Sequence, residues 1–263
     1  MAEDHGSKPI KLGLGKLKSR GVKIVAINPV KTGYAAIADE WVGIRPGTDG
    51  LLIGALIHEL LHADRIDLEF LVRYSNAHWL VIDDPEGAED GLFARDAEGR
   101  PLCAVRAADG STHLVDGAAI GIAPRVVGTV HLADGRRARP AFERLAERFV
   151  ADEYAPDTVA SQCGVAATTI RRLARELADA AFNDPLELPV AWTDVHGRRH
   201  ESMVGRPVAM HAMRGISAHS NGFQTCRMLH VLQLLLGAIE APGSFRFQPP
   251  YPKGVPPANR PGK

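Results

Sequence analysis

Val22-Lys23-Ile24-Val25-Ala26-Ile27-Asn28-Pro29 and, further on, Pro46-Gly47-Thr48-Asp49-Gly50 decide the reading of the fold. The first is a β-branched run that stops at Asn-Pro, the signature of a buried strand with a polar end. A short basic helical segment over 10–20, closed by Gly21, precedes it. The second is a Pro/Gly break before the run Leu51 to Leu61, which is helix-length and apolar nearly all round and therefore predicts a buried helix. Helix, strand, loop and buried helix in that order point to an α/β fold. Their alternation favours a doubly wound, mostly parallel sheet. Asn28, Pro29, Val30, Lys31 and Thr32 then fall at the carboxyl edge of such a sheet, where α/β proteins hold nucleotides.

Outward from this stretch, Ala35 to Ile37 and Trp41 to Ile44 read as short strands or turns. Residues 83–139 change character: Asp-Asp-Pro-Glu-Gly, Ala-Glu-Gly-Arg-Pro and two Ala-Asp-Gly turns separate short apolar stretches, which predicts a β-rich insertion of hairpins. Helical patterning returns over 141–151, 157–163 and 167–182. A strand from Pro207 to Met213, a Gly/Ser/Asn turn and a helix from Gln224 to Leu236 follow. The expected organisation is 1–82 as the first part of an α/β cofactor-binding domain, 83–139 as the insertion, 140–241 as the remainder of the domain and 242–263 as a Pro/Gly-rich extended tail.

Composition narrows the classes of function. Lys plus Arg and Asp plus Glu both number 31, so the chain lacks the global positive field of a dedicated nucleic-acid binder. Cys103, Cys163 and Cys226 stand far apart with no C-x-x-C pair, the pattern of ordinary thiols in a reducing compartment. No apolar run approaches the ~20 residues of a membrane span. Direct membrane insertion is not expected, and the chain shows no targeting segment, which predicts a cytoplasmic location for it.

Three motifs compete for the chemistry. His58-Glu59-Leu60-Leu61-His62 matches the H-E-x-x-H of zinc hydrolases, in which two histidines on one helix face grip the metal and the glutamate polarises water. It lacks a recognisable third ligand, and the same histidines would also suit the carbonyl end of a buried helix. Residues 157–178, with Gly164 between two helical segments, have the outline of a helix-turn-helix DNA reader. A tight helical corner packed by Val159, Val165, Ile170 and Leu173 reads the same way.

The third motif is the set of glycine-rich junctions. In Gly47-Thr48-Asp49-Gly50 a carboxylate could accept two hydrogen bonds from a guanine edge while the glycines let the backbone come close. The alternative role of Asp49 is a helix N-cap. Arg214-Gly215-Ile216-Ser217-Ala218-His219-Ser220-Asn221-Gly222 repeats the design before another helix. Such loops present N–H groups to phosphate.

The order Asn28-Pro29-Val30-Lys31-Thr32-Gly33, then Ile44-Arg45-Pro46-Gly47-Thr48-Asp49, resembles a stretch of the dimethyl sulfoxide reductase family that runs from Asp-Pro-Arg to Ile-Arg-Pro-Gly-Thr-Asp. Tyr154 to Val165 with Ile170 to Ala178, and Arg214 to Gly222 with the following leucine-rich helix, Leu236-Gly237 and Pro242-Gly243, are similar to later segments of the same family. His219-Ser220-Asn221-Gly222 with Trp192-Thr193-Asp194 resembles the branch that includes tetrathionate, polysulfide and sulfite-oxidising enzymes. Asn28 and Ala218 depart from the family, where Asp and Gln are common.

The resemblance implies an internal fragment of a molybdenum oxidoreductase catalytic subunit, inactive alone. It would bind part of a bis-molybdopterin guanine dinucleotide carrying molybdenum or tungsten. Asn28 to Thr32 with Gly47, Thr48 and Asp49 would hold the guanosine end. Arg214, Gly215, His219, Ser220, Asn221 and Gly222 would face pterin or phosphate. The family's 4Fe-4S cysteines and metal ligand are expected only in the parent enzyme, so no residue here is assigned a catalytic or metal-binding role. The implied partners are the missing N- and C-terminal parts of the same polypeptide, together with an iron-sulfur electron-transfer subunit. A twin-arginine signal upstream would make the parent periplasmic.

Overall fold

The computed structural model describes residues 8–31, 33–119, 121–212 and 214–244. After helix α1 (Lys8–Ser19), strands β1 (Val25–Ile27) and β2 (Glu40–Val42) pair in parallel, with Val25 opposite Glu40 and Ile27 opposite Val42. Parallel pairing brings both carboxyl ends to one edge, so the chain leaves at Asn28 and at Gly43 side by side. The Asn28 N–H donates to the Val42 carbonyl at 3.2 Å and extends this pairing by one residue.

Helix α2 (Asp49–His62) is the centre of the main core. Leu52, Ile53, Ala55, Leu56, Ile57 and Leu60 are all buried, because α2 is surrounded by α4 (Ala141–Val150), α5 (Pro156–Cys163), α6 (Ala167–Phe182) and α8 (Gly222–Leu235). An amphipathic helix could not occupy this place. Each fully buried Leu or Ile contributes about 1.5–3 kcal/mol relative to exposure. The amphipathic neighbour α6 turns Ile170, Leu173, Ala174, Ala178 and Ala181 inward at helical spacing.

Helices α2 and α8 run parallel. Gly50 meets Thr225, Gly54 meets Met228 one turn later, and beyond the far end of α2 the Asp67 N–H donates to the Leu235 carbonyl at 2.7 Å. Asp67 also caps α3 (Leu68–Tyr74) by accepting from Phe70 N–H, and it pairs with Arg206 at 2.7 Å. Both helices thus start at one pole and are pinned together at the other.

A second, smaller core lies within 80–138 and joins Leu80, Ile82, Ala94, Ala104, Val130 and Ala138. Its strands are β3 (Leu80–Ile82), the hairpin β4 (Leu102–Arg106) and β5 (Thr112–Asp116), and β6 (Val130–His131) with β7 (Arg137–Pro140). Two further antiparallel pairs join β8 (Leu186–Leu188) to β11 (Met203–Gly205) and β9 (Trp192–Thr193) to β10 (Arg199–His200).

The α/β class is as expected. In place of one doubly wound, mostly parallel sheet, the described residues form five small sheets, of which the β1–β2 pair is parallel. The strands are short, and the turns between most of them enforce hairpins. Gly33–Ala36 is a 3-10 turn rather than the start of a strand, in keeping with two alanines of low β propensity. The strand expected over Pro207 to Met213 does not form among its described residues. Pro207 has no N–H to give a ladder, and Val208 N–H bonds locally to the Arg206 carbonyl. Thr32, Met213 and residues 245–263 of the expected tail lie outside the described residues.

Candidate functional site

The loop from Gly43 to Thr48 carries the chain from the β1–β2 edge to the start of α2, and Arg45 fixes its course. Arg45 N–H donates to the Cys163 carbonyl at 2.9 Å, and its guanidinium donates to the carbonyls of Ser161 at 2.8 Å and Gln162 at 3.2 Å. These are the open carbonyls at the C-terminus of α5, where a cation is favoured. The helix ends there because Gly164 takes the left-handed conformation, φ 77°. Thr48 Oγ1 donates to the Arg45 carbonyl at 2.7 Å and closes the turn, in which Gly47 has φ +81°.

This turn meets the 214–222 segment. A Cβ built on Gly47 would lie 3.7 Å from His219 Nδ1, and one on Gly50 would lie 3.1 Å from Thr225 Oγ1 and 3.9 Å from Asn221 Nδ2. Arg214–Ser217 forms a short helix, α7, and Gly222 packs so tightly against the Ser217 carbonyl that no side chain fits. Gly47 and Gly50 therefore meet His219, Asn221 and Thr225 at the pole where α2 and α8 both begin. Neither helix has a side-chain cap: Thr48 and Asn221 occupy the N-cap positions without capping. Among the described residues, the N–H groups of Asp49, Gly50, Phe223 and Gln224 have no acceptor. Two aligned helix dipoles and four open donors at one place suit an acceptor-rich, anionic group.

Asp49 is the first residue of α2 rather than its N-cap, and its carboxylate has no hydrogen-bond or ion-pair partner among the described residues. Asn28 uses its carbonyl to accept from Trp41 Nε1 at 3.0 Å, while Pro29, Val30 and Lys31 are exposed. No hydrogen bond or ion pair joins residues 28–31 to His219 or Asn221 among the described residues. Gly215 and Ser220 are exposed on the α7 side of the turn.

Arg45 and Thr225 were not singled out from sequence as site residues. An arginine ahead of Pro-Gly-Thr was a visible signal for the first, since it follows a strand and precedes a helix. Nothing local distinguishes Thr225 from any helical threonine.

The competing motifs are absorbed by packing. His58 is buried and its Nδ1 donates to the Phe149 carbonyl at 2.9 Å, His62 is exposed, and Glu59 faces Arg171 at 4.0 Å. No group of three or more potential metal ligands occurs among the described residues. In the helical corner, Val159, Val165, Ile170 and Leu173 are buried against α2. Two of its arginines are engaged, Arg171 with Asp157 and Arg172 with Glu40 and Glu176. No described helix is long and apolar enough to cross a membrane.

No family model matches the chain. A sulfite dehydrogenase subunit of Allochromatium vinosum is 46% identical over 99% of this chain and 27% of its own length. The formate dehydrogenase-O major subunit of Escherichia coli is 27% identical over 82% of this chain and 18% of its own, and the perchlorate reductase alpha subunit of Dechloromonas aromatica 29% identical over 64% and 22%. A solved structure, acetylene hydratase from Pelobacter acetylenicus, aligns over 89% of this chain and 19% of that one with TM-score 0.47 and 18% identity. The chain belongs to the molybdopterin oxidoreductase family. Within it, the chain stands on the side that includes the sulfite dehydrogenase of Allochromatium vinosum, and it spans about a quarter of the length of that relative.

Proposed function

We propose that this chain forms the guanosine-binding part of a molybdopterin guanine dinucleotide site in the catalytic subunit of a molybdenum oxidoreductase. The observation that carries the reading is the meeting of Gly47 and Gly50 with His219, Asn221 and Thr225, beside an unpaired carboxylate and open helix N-termini. In this reading Asp49 accepts hydrogen bonds from the guanine N1–H and exocyclic amine, a charge-assisted pair that adenine cannot supply. Gly47 leaves the backbone bare for close approach. Asn28, Pro29, Val30, Lys31 and Thr32 line the strand edge along the nucleoside.

Arg214, Gly215, His219, Ser220, Asn221 and Gly222 face phosphate or pterin, with the free N–H groups at the start of α8 as donors. The metal centre of such a cofactor supplies two-electron redox and atom-transfer chemistry, while the protein binds and orients it. By its likeness to a sulfite dehydrogenase, the whole enzyme would act on a sulfur oxyanion. The remaining parts of the subunit would bring a 4Fe-4S cluster, and an iron-sulfur subunit would take the electrons.

Acid hydrolysis of the complete enzyme tests the dinucleotide form. Guanine nucleotide released in step with molybdenum content is the expected result. Molybdenum-loaded enzyme that yields no guanine nucleotide would overturn it.

A further inference from the structure

We propose that Arg106 and Arg125 form a binding site for a small oxyanion on the β4–β5 hairpin, apart from the junction of the Gly47 and His219 loops described above and independent of its reading. The two arginines, with Gly110 and Thr112, line a hollow of about 440 Å³. Most of the described arginines are matched with carboxylates, among them Arg100 with Asp96, Arg136 with Glu89 and Asp134, and Arg139 with Asp83 and Glu147. Arg106 and Arg125 have no carboxylate partner among the described residues, yet they converge on one cavity. A cavity lined by two arginines that lack a carboxylate partner suits a ligand that supplies negative charge.

The geometry is held by the surrounding chain. Arg125 N–H donates to the Ala104 carbonyl at 2.7 Å and its Nη1 donates to Thr112 Oγ1 at 3.3 Å. The Arg125 guanidinium lies over Gly128, where any side chain would collide with it. Arg106 reaches over the hairpin turn, and a Cβ on Gly110 would stand 3.8 Å from its Nη2. Asp109, the carboxylate of that turn, is occupied elsewhere, accepting from Ser111 N–H at 2.9 Å and Ser111 Oγ at 2.6 Å. What remains in the hollow is guanidinium N–H and a threonine hydroxyl, a donor set for sulfate, sulfite or phosphate oxygens.

Calorimetric titration of the full chain with sodium sulfate, and separately with inorganic pyrophosphate, at constant ionic strength set by sodium chloride, tests the site. The expected result is saturable binding that weakens about tenfold or more in Arg106→Gln and in Arg125→Gln. It should be unchanged in Arg95→Gln, whose guanidinium is held on the Gly99 carbonyl. Sulfate bound as well as pyrophosphate identifies a single free oxyanion, and pyrophosphate bound much more tightly identifies a diphosphate group. Absence of saturable binding of both anions, or equal weakening in Arg95→Gln, would overturn the proposal. Arg106 is exposed, so its variant keeps the test decisive even if Arg125→Gln disturbs the hairpin.

Discussion

Gly50 and Thr225 meet where two parallel helices begin, so close that a methyl group on Gly50 would stand 3.1 Å from the Thr225 hydroxyl. That approach places the start of α2 beside the start of α8 and so brings together two glycine-rich loops far apart in sequence. The contact is small, but the placement of Asp49 relative to His219 and Asn221 depends on it.

This junction should accordingly be sensitive to added methyl groups in a graded way. Gly222→Ala, which must displace the Ser217 carbonyl, is expected to lower stability by about 1–3 kcal/mol. Gly50→Ala, which meets the tip of a side chain, should cost less. Gly215→Ala, with nothing within 4 Å, should fall within about 0.5 kcal/mol of native. Urea unfolding midpoints of the three variants check this ranking, and equal effects would contradict the packing described.

His58 serves the core through its bond to the Phe149 carbonyl. His58→Ala is expected to destabilise by about 1–3 kcal/mol, because the carbonyl loses its buried donor, whereas His62→Ala should change stability by no more than about 0.5 kcal/mol. Metal analysis of the purified chain should find no stoichiometric zinc. Zinc at one equivalent that disappears in His58→Ala would revive a hydrolase.

Glu176 ties the parallel strands to α6. It pairs with Lys23 at 2.7 Å and with Arg172 at 2.9 Å, and Arg172 in turn pairs with Glu40 at the start of β2. The hydrogen bond from Lys23 is the largest influence on its carboxyl. Partial burial opposes it and Arg172 adds to it, so the group is held below its ordinary value of 4.5. A depressed carboxyl stabilises the fold above the unfolded value and loses that contribution as pH falls through the folded value. Glu176→Gln should therefore cost up to about 1 kcal/mol near neutrality, since the pair is partly exposed. The gap should close as pH falls below 4.5 and through the lowered folded value. Unfolding curves that keep a constant gap across this range would exclude the ion pair as its source.

Much of the helical framework was legible because burial and periodicity speak locally. The run from Leu51 to Leu61 announced a helix buried on all sides, and Gly164 announced the corner between α5 and α6. The extent of the sheet was not legible, since strands as short as Val25–Ile27 and Glu40–Val42 carry no record of how many partners they find. Pro207 to Met213 misled because β-branched and apolar residues favour a strand only where a neighbouring edge exists to receive it. The two loops could be read separately, but their contact through Gly50 and Thr225 is a property of how α2 and α8 pack. Neither segment encodes that contact alone.

The central claim is that the Asp49 carboxylate grips a guanine base. Replacing it by alanine in the complete enzyme, and measuring molybdenum and bound guanine nucleotide per enzyme molecule, tests this most directly. Loss of two charge-assisted hydrogen bonds, each contributing about 1.5–3 kcal/mol, predicts that both contents fall together by about tenfold or more. Asp49→Ala enzyme with a native content of both would contradict the claim.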